Sequence, residues 1–123
     1  MKAGGVLIDT DVLIDIDKGK EDLPDVPCFL SVITLYEFIR GKVDPPRAKA
    51  LLEDLCSVIP LDNEVFREAS SIWSELRESG ELIDDRDLLI GATAIAKDLP
   101  LWTKNEKHFS RLKKRGLVLW RKK

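Results

Sequence analysis

Histidine occurs once and cysteine twice in the 123 residues, and no apolar run is long. Each scarcity excludes a class of function. A lone imidazole, His108, leaves little support for a Ser–His–Asp or Cys–His site, where histidine is the usual proton carrier. Cys28 and Cys56 belong to no CxxC and no Cys/His cluster, so neither a disulfide framework nor a zinc site is expected, and both are read as reduced core residues. No segment approaches the roughly 20 apolar residues needed to cross a bilayer, and the opening MKAGGVLIDT turns acidic too soon for a signal-peptide core. A soluble cytoplasmic protein without membrane association is expected. With 44% hydrophobic and 34% charged residues, residues 1–123 read as one domain, within the usual range of roughly 100–200 residues.

The net charge of -2 conceals a segregation. Residues 104–123 hold nine basic residues and one acid, Glu106, leaving a net -10 on the first 103. A basic tail beside an acidic body suits a polyanion next to a cation, although a run such as SRLKKRG also reads as a solvated helix face.

Short apolar runs alternate with helix-period segments. Strands are predicted at 6–8, 28–30, 58–61, 101–103 and 117–119. Between them, helices are predicted over 11–18, 34–40, 45–57, 63–79, 87–96 and 106–114, with Gly19, Gly41 and Gly80 as stops and Pro45-Pro46 opening the third. The fourth helix repeats Val65, Phe66, Ala69, Ile72, Trp73 and Leu76 at three and four, and the fifth, rich in Gly91, Ala92 and Ala94, should be buried by close packing. Strands separated by helices imply an α/β fold: a mostly parallel central sheet of four to five strands in three α/β/α layers.

In such sheets ligands bind beyond the carboxyl ends of the strands. Asp9 follows the first strand, Glu37 lies within two turns of the second, Asp87 begins the buried helix, and Asn105 follows the strand ending at Thr103. If these converge they form a nest of hard oxygen ligands, with no compensating Lys or Arg expected within it, suited to Mg²⁺ or Mn²⁺. Each also has an ordinary reading. Asp9 can cap a helix, Glu37 can face solvent, and Asp87 can answer a helix dipole.

Their order resembles the PIN-domain ribonucleases, most closely the VapC-type toxins of prokaryotic toxin–antitoxin pairs. The resemblance covers nearly the whole chain and rests on VLIDTDVLID at 6–15, LYEFIRG at 35–41, DRDLLIGATAIAKDLPLWT at 85–103 and the Phe closing TKNEKHF at 103–109. It implies a PIN-like domain in which Asp9, Glu37 and Asp87 match the family's three acidic metal-site positions. Asn105 stands where many members carry a fourth acid, which puts a second tightly held ion in doubt; the adjacent Glu106 is an alternative donor. Thr10 and Thr103 are expected to hydrogen-bond the carboxylates into place.

The resemblance further implies an endoribonuclease whose metal-activated water hydrolyses RNA to leave a 5′-phosphate and 3′-hydroxyl, with a cognate VapB-like antitoxin and a homodimer as its assemblies. Arg40, Arg86, Lys104, Lys107, Arg111, Lys113 and Lys114 are candidates for holding the RNA backbone, while Trp102 and Trp120 read as core residues in preference to base-stacking ones. Two other functions stay open. A PIN-fold module could dock a partner with little nuclease activity, or VLIDTDVL could open a haloacid-dehalogenase-type phosphatase with Asp9 as nucleophile and Asp11 as acid/base.

Overall fold

A computed structural model describes residues 4–122. Four short strands, β1 (Val6–Ile8), β2 (Cys28–Ser31), β3 (Ser57–Ile59) and β4 (Leu101–Trp102), form a fully parallel sheet in the order β3-β2-β1-β4. Successive side chains of a strand point to opposite faces, and β1 shows the result. Leu7 joins a core with helices α4 (Asn63–Glu78) and α5 (Asp85–Ala96), while Val6 and Ile8 join a second core with α1 (Thr10–Asp17), α2 (Val32–Ile39) and α3 (Pro45–Leu55). That gives the three layers. A short α6 (Glu106–Phe109) and a 3₁₀ turn over Ser110–Arg115 complete the α4/α5 side through buried Phe109 and Leu112.

The chain moves from β1 outward to β2 and β3, then returns to place β4 on the other side of β1. This reversal splays the connections leaving β1 and β4 and opens a crevice at their carboxyl ends. Backbone bonds tie β1 to β4 along their length: Leu7 N donates to Pro100 O at 2.9 Å, and at the carboxyl end Asp9 N donates to Trp102 O at 2.9 Å.

Helix starts follow the local chemistry. Ser31 accepts from Ile33 N, Asp44 from Arg47 N ahead of Pro45, and Asp62 from Val65 N, each satisfying an end amide that the helix cannot. The amphipathic α4 buries Val65, Ala69, Ile72 and Leu76 but leaves Phe66 46% exposed, so its apolar stripe is wider than the core it meets. In α5 the small residues do what their size allows. A Cβ on Gly91 would collide with Leu112 and stand 3.6 Å from the Phe109 ring, so the bare backbone admits both side chains.

The predicted elements at the carboxyl end differ. The 106–114 helix divides into α6 and the 3₁₀ turn, which ends at Gly116 with φ 102°. The strand at 117–119 reduces to one parallel bridge between Leu101 and Leu119, held by Leu101 N to Val118 O and Trp120 N to Leu101 O, both 2.8 Å. Trp102 is buried against Trp120, their ring centroids 4.7 Å apart, so Trp102 serves packing.

Cys28 and Cys56 are both free and buried in the α1/α2/α3 core. Burial pushes both thiols upward, and Cys56 reaches about 12, with Cys28 beside it adding to the effect. Since the thiolate is the reactive form, an aromatic disulfide reagent at pH 8 is expected to label neither in the folded protein and both after denaturation. Fast labelling of either under native conditions would contradict this packing.

Candidate active site

The crevice gathers acids from three elements. Asp9 ends β1 and caps α1, a place where extended backbone (φ -75°, ψ 159°) turns into helix. It is 1% exposed, and both of its oxygens are hydrogen-bonded. Oδ1 accepts from Thr10 N at 2.7 Å and Arg86 Nη2 at 2.8 Å, while Oδ2 accepts from Thr103 Oγ1 at 2.8 Å. Glu37 reaches in from the last turn of α2, where Thr10 Oγ1 donates to its Oε1 at 2.6 Å. Asp87, in the first turn of α5, is 4% exposed and benefits from the helix's positive end.

At the centre lies a guanidinium. Arg86 Nε donates to Glu37 Oε2 at 2.8 Å and Oε1 at 3.0 Å, Nη1 to Asp87 Oδ1 at 2.5 Å, and Nη2 to Asp9 Oδ1 at 2.8 Å. The expectation of an acid nest without an internal basic group is therefore corrected. Arg86 adjoins Asp87 in sequence, yet its planar fork turns inward because three donors match three carboxylates. Among the described residues no buried side-chain nitrogen or oxygen lacks a partner. Nor do any three Asp, Glu, His or Cys side chains among them stand close enough to hold one ion as they are, since the guanidinium lies between the acids.

Charge in the crevice remains unbalanced. Three carboxylates face one guanidinium, and Asp11 stands next to them. Burial and the neighbouring Asp9 raise the Asp11 carboxyl above its ordinary value, against opposing hydrogen bonds from the Lys104 and Val12 amides. For Glu37, burial works against the charge, but the hydrogen bonds from Arg86 and Thr10 outweigh it and hold the carboxyl below the usual range. Burial likewise disfavours the charged Arg86, and its acid partners more than reverse that, raising it above the ordinary arginine value.

The remaining sequence-chosen residues divide. Thr103 Oγ1 also accepts from Asn105 N at 3.0 Å, so one hydroxyl ties the strand end to both Asp9 and the following loop. Asn105 does not touch the three acids directly. Its Nδ2 lies 2.8 Å from His108 Nδ1, which in turn lies 3.1 Å from Asp87 Oδ2. His108 was not among the residues the sequence singled out as site members; the available signal was its position three residues after Asn105, one turn along α6. Glu106 points elsewhere, pairing with Arg121.

Most of the basic candidates are engaged. Lys104 Nζ binds Asp15 at 2.9 Å, Lys114 lies near Glu75 and Glu81, Arg111 donates to the Glu81 and Leu82 carbonyls, and Arg40 stacks on Tyr36. Among the described residues Lys107 and Lys113 have no acid within ion-pair reach.

A family model described as the PIN domain matches residues 6–115, spanning β1 through the 3₁₀ turn and therefore all of the acids above. The chain belongs to the PIN-domain family. This PIN domain is 43% identical over 121 residues to Ribonuclease VapC1 of Methanocaldococcus jannaschii, covering 95% of this chain and 88% of that one. Its fold matches VapBC-1 from nontypeable Haemophilus influenzae with a TM-score of 0.79 at 23% identity, covering 95% of this chain and 96% of the other. A DNA-bound VapBC from Salmonella typhimurium gives a TM-score of 0.79 at 25% identity, covering 94% and 96%. Family membership sets aside the dehalogenase-type phosphatase, because the acidic motif at 6–15 is accounted for as part of the PIN domain.

Proposed function

We propose that this PIN domain is a divalent-metal-dependent endoribonuclease and the toxin of a toxin–antitoxin pair, with Asp9, Glu37 and Asp87 as the metal-site acids. The observation that carries the reading is the convergence of three carboxylates, from β1, α2 and α5, on one cationic group in the crevice between β1 and β4. The donor set fits Mg²⁺ or Mn²⁺, which take oxygen ligands from one or two carboxylates together with substrate phosphate and water. A bound divalent cation supplies acidification of a water and neutralisation of phosphate charge. The 43% identity to a protein named a ribonuclease supports RNA as substrate.

The protein's own residues do the positioning. Thr10 holds Glu37 and Thr103 holds Asp9, which fixes the two carboxylates relative to the sheet. Asn105, through His108, borders Asp87, and its carboxamide adds no charge there. Of the basic candidates, Lys107 and Lys113 have no acid within ion-pair reach among the described residues and are proposed to meet the RNA backbone.

Partner binding is proposed on a separate face. An apolar groove of about 460 Å³ runs between α1, α2 and α3, lined by Leu13, Ile16, Leu23, Leu51 and Leu55 among others. Leu51 is 56% exposed; the shared fold with VapBC complexes supports an antitoxin as a partner, this groove is proposed as its seat, and a homodimer is proposed as the toxin's own assembly. Among the described residues no helix is long and apolar enough to cross a membrane, and a cytoplasmic location is proposed.

The test is RNA cleavage by the purified protein with Mn²⁺, with Mg²⁺ and with a chelator, using Asp87→Ala as control. Metal-stimulated cleavage leaving ligatable 5′-phosphates is expected from the wild type alone. Metal at about 100 times its Kd is also expected to stabilise the fold by about 2.7 kcal/mol, which for a domain of this size raises Tm by about 10 °C. Tight Mn²⁺ binding without cleavage would favour the docking module.

A further inference from the structure

We propose that Arg86 is a built-in counter-cation, competing with the divalent metal for the oxygens of Asp9, Glu37 and Asp87, so that metal loading requires its guanidinium to leave the crevice. The inference rests on the metal-site reading above and specifies how that site is regulated.

Three observations carry it. First, the guanidinium sits among the acids: Asp9 Oδ1, Glu37 Oε2 and Asp87 Oδ1 accept from three different nitrogens at 2.5 to 2.8 Å. An ion ligated by all three acids would have to sit among these oxygens, at roughly 2.0–2.1 Å for Mg²⁺, in the space the guanidinium fills, so the two cations cannot occupy it together. Second, the described acids as they stand do not close on one ion, which is the expected consequence of a planar cation wedged among them. Third, the guanidinium has a way out. Arg86 sits in the first turn of α5, at the crevice rim, and its side chain is 32% exposed, whereas the Asp9 and Asp87 side chains are 1% and 6% exposed.

Charge decides which cation prevails. Arg86 cancels one of three negative charges and leaves a site of -2; a divalent ion leaves -1 and holds the acids at shorter distance. Without any cation, three nearly buried carboxylates would repel each other across the crevice. Arg86 thus keeps the metal-free fold intact and at the same time raises the metal concentration needed to load it. Once expelled, it stands on the rim with its donors turned toward solvent, where a phosphate would meet it.

Mn²⁺ binding, followed by the loss of the free-ion paramagnetic signal, tests the competition without reference to cleavage. Arg86→Ala is expected to bind Mn²⁺ at least about tenfold more tightly than wild type, since the cost of breaking its charge-assisted bonds is gone. Its metal-free Tm should fall below wild type and its metal-induced rise in Tm should exceed wild type's. Arg86→Lys, which keeps the charge but loses the fork, should lie between them and guards against failure of the alanine variant to fold.

Unchanged or weaker Mn²⁺ binding by both variants, beside clear binding by wild type, would overturn the competition and leave the metal site standing, with Arg86 as a companion to the ion. Absence of Mn²⁺ binding from wild type and both variants would overturn the metal-site reading, and the competition with it.

Discussion

Asp9→Asn is expected to reduce RNA cleavage by at least about 10²-fold while leaving the fold intact. The substitution is isosteric, so the question is which contacts survive it. An Asn oxygen in the Oδ1 position still accepts from Thr10 N and Arg86 Nη2, so the cap of α1 and one Arg86 contact persist. The amide nitrogen then faces Thr103, whose hydroxyl can rotate to accept from it. What disappears is the charge. Losing one of three negative charges also relieves repulsion in the crevice, which offsets part of the weakened pairing with Arg86, and a loss of about 1–3 kcal/mol follows. Full cleavage activity in a folded Asp9→Asn protein would remove this residue from the proposed metal site. A collapse of Tm would show instead that its charge serves the fold.

The sequence exposes this site because its acids mark local events. Asp9 stands where a short apolar strand stops, and Asp87 where a run of small and apolar residues begins; both are legible from pattern within ten residues. Glu37 is harder, since its apolar helix suits an outward acid equally well, and it is bonds from Thr10 and Arg86, 27 and 49 residues away, that hold it inward. Arg86 was the least legible. Its partners lie 49 and 77 residues distant, and beside Asp87 it reads as a solvated base available to RNA. The basic tail misleads for the same reason. Arg115 is committed to Glu68 and Glu75, Lys122 to Glu21 and Lys104 to Asp15, so the segregation of charge along the chain is largely cancelled in space. Composition cannot report such pairings because they are made by tertiary contacts.

Fold class was legible for a different reason. Burial on both faces of a parallel sheet demands uninterrupted apolar strands such as Val6-Leu7-Ile8, and these are visible without knowing their neighbours. The segment 117–119 satisfies the same pattern and still forms only one bridge. It pairs at the outer side of β4, itself two residues long, so the ladder has nowhere to extend.

Phe109→Ala is expected to cost about 3–5 kcal/mol, the largest effect of any single truncation proposed for this protein. Phe109 is fully buried and meets α5 where Gly91 lacks a side chain, with Leu112 filling the adjacent space. Backbone on one side and a buried leucine on the other leave the cavity little room to collapse, which places the cost toward the upper end of that range. A fall in Tm of about 12 °C or more follows for a domain of this length. The effect reaches the crevice through α6, which begins after Asn105 and carries His108 before Phe109. Loosening the phenyl anchor should therefore displace the Asn105–His108–Asp87 contact, and cleavage should decline below the temperature at which the domain unfolds. Denaturant titration separates the two consequences: a lowered midpoint with an unchanged slope reports the lost packing energy. Cleavage that tracks the folded fraction throughout would mean that α6 stays in place without its anchor.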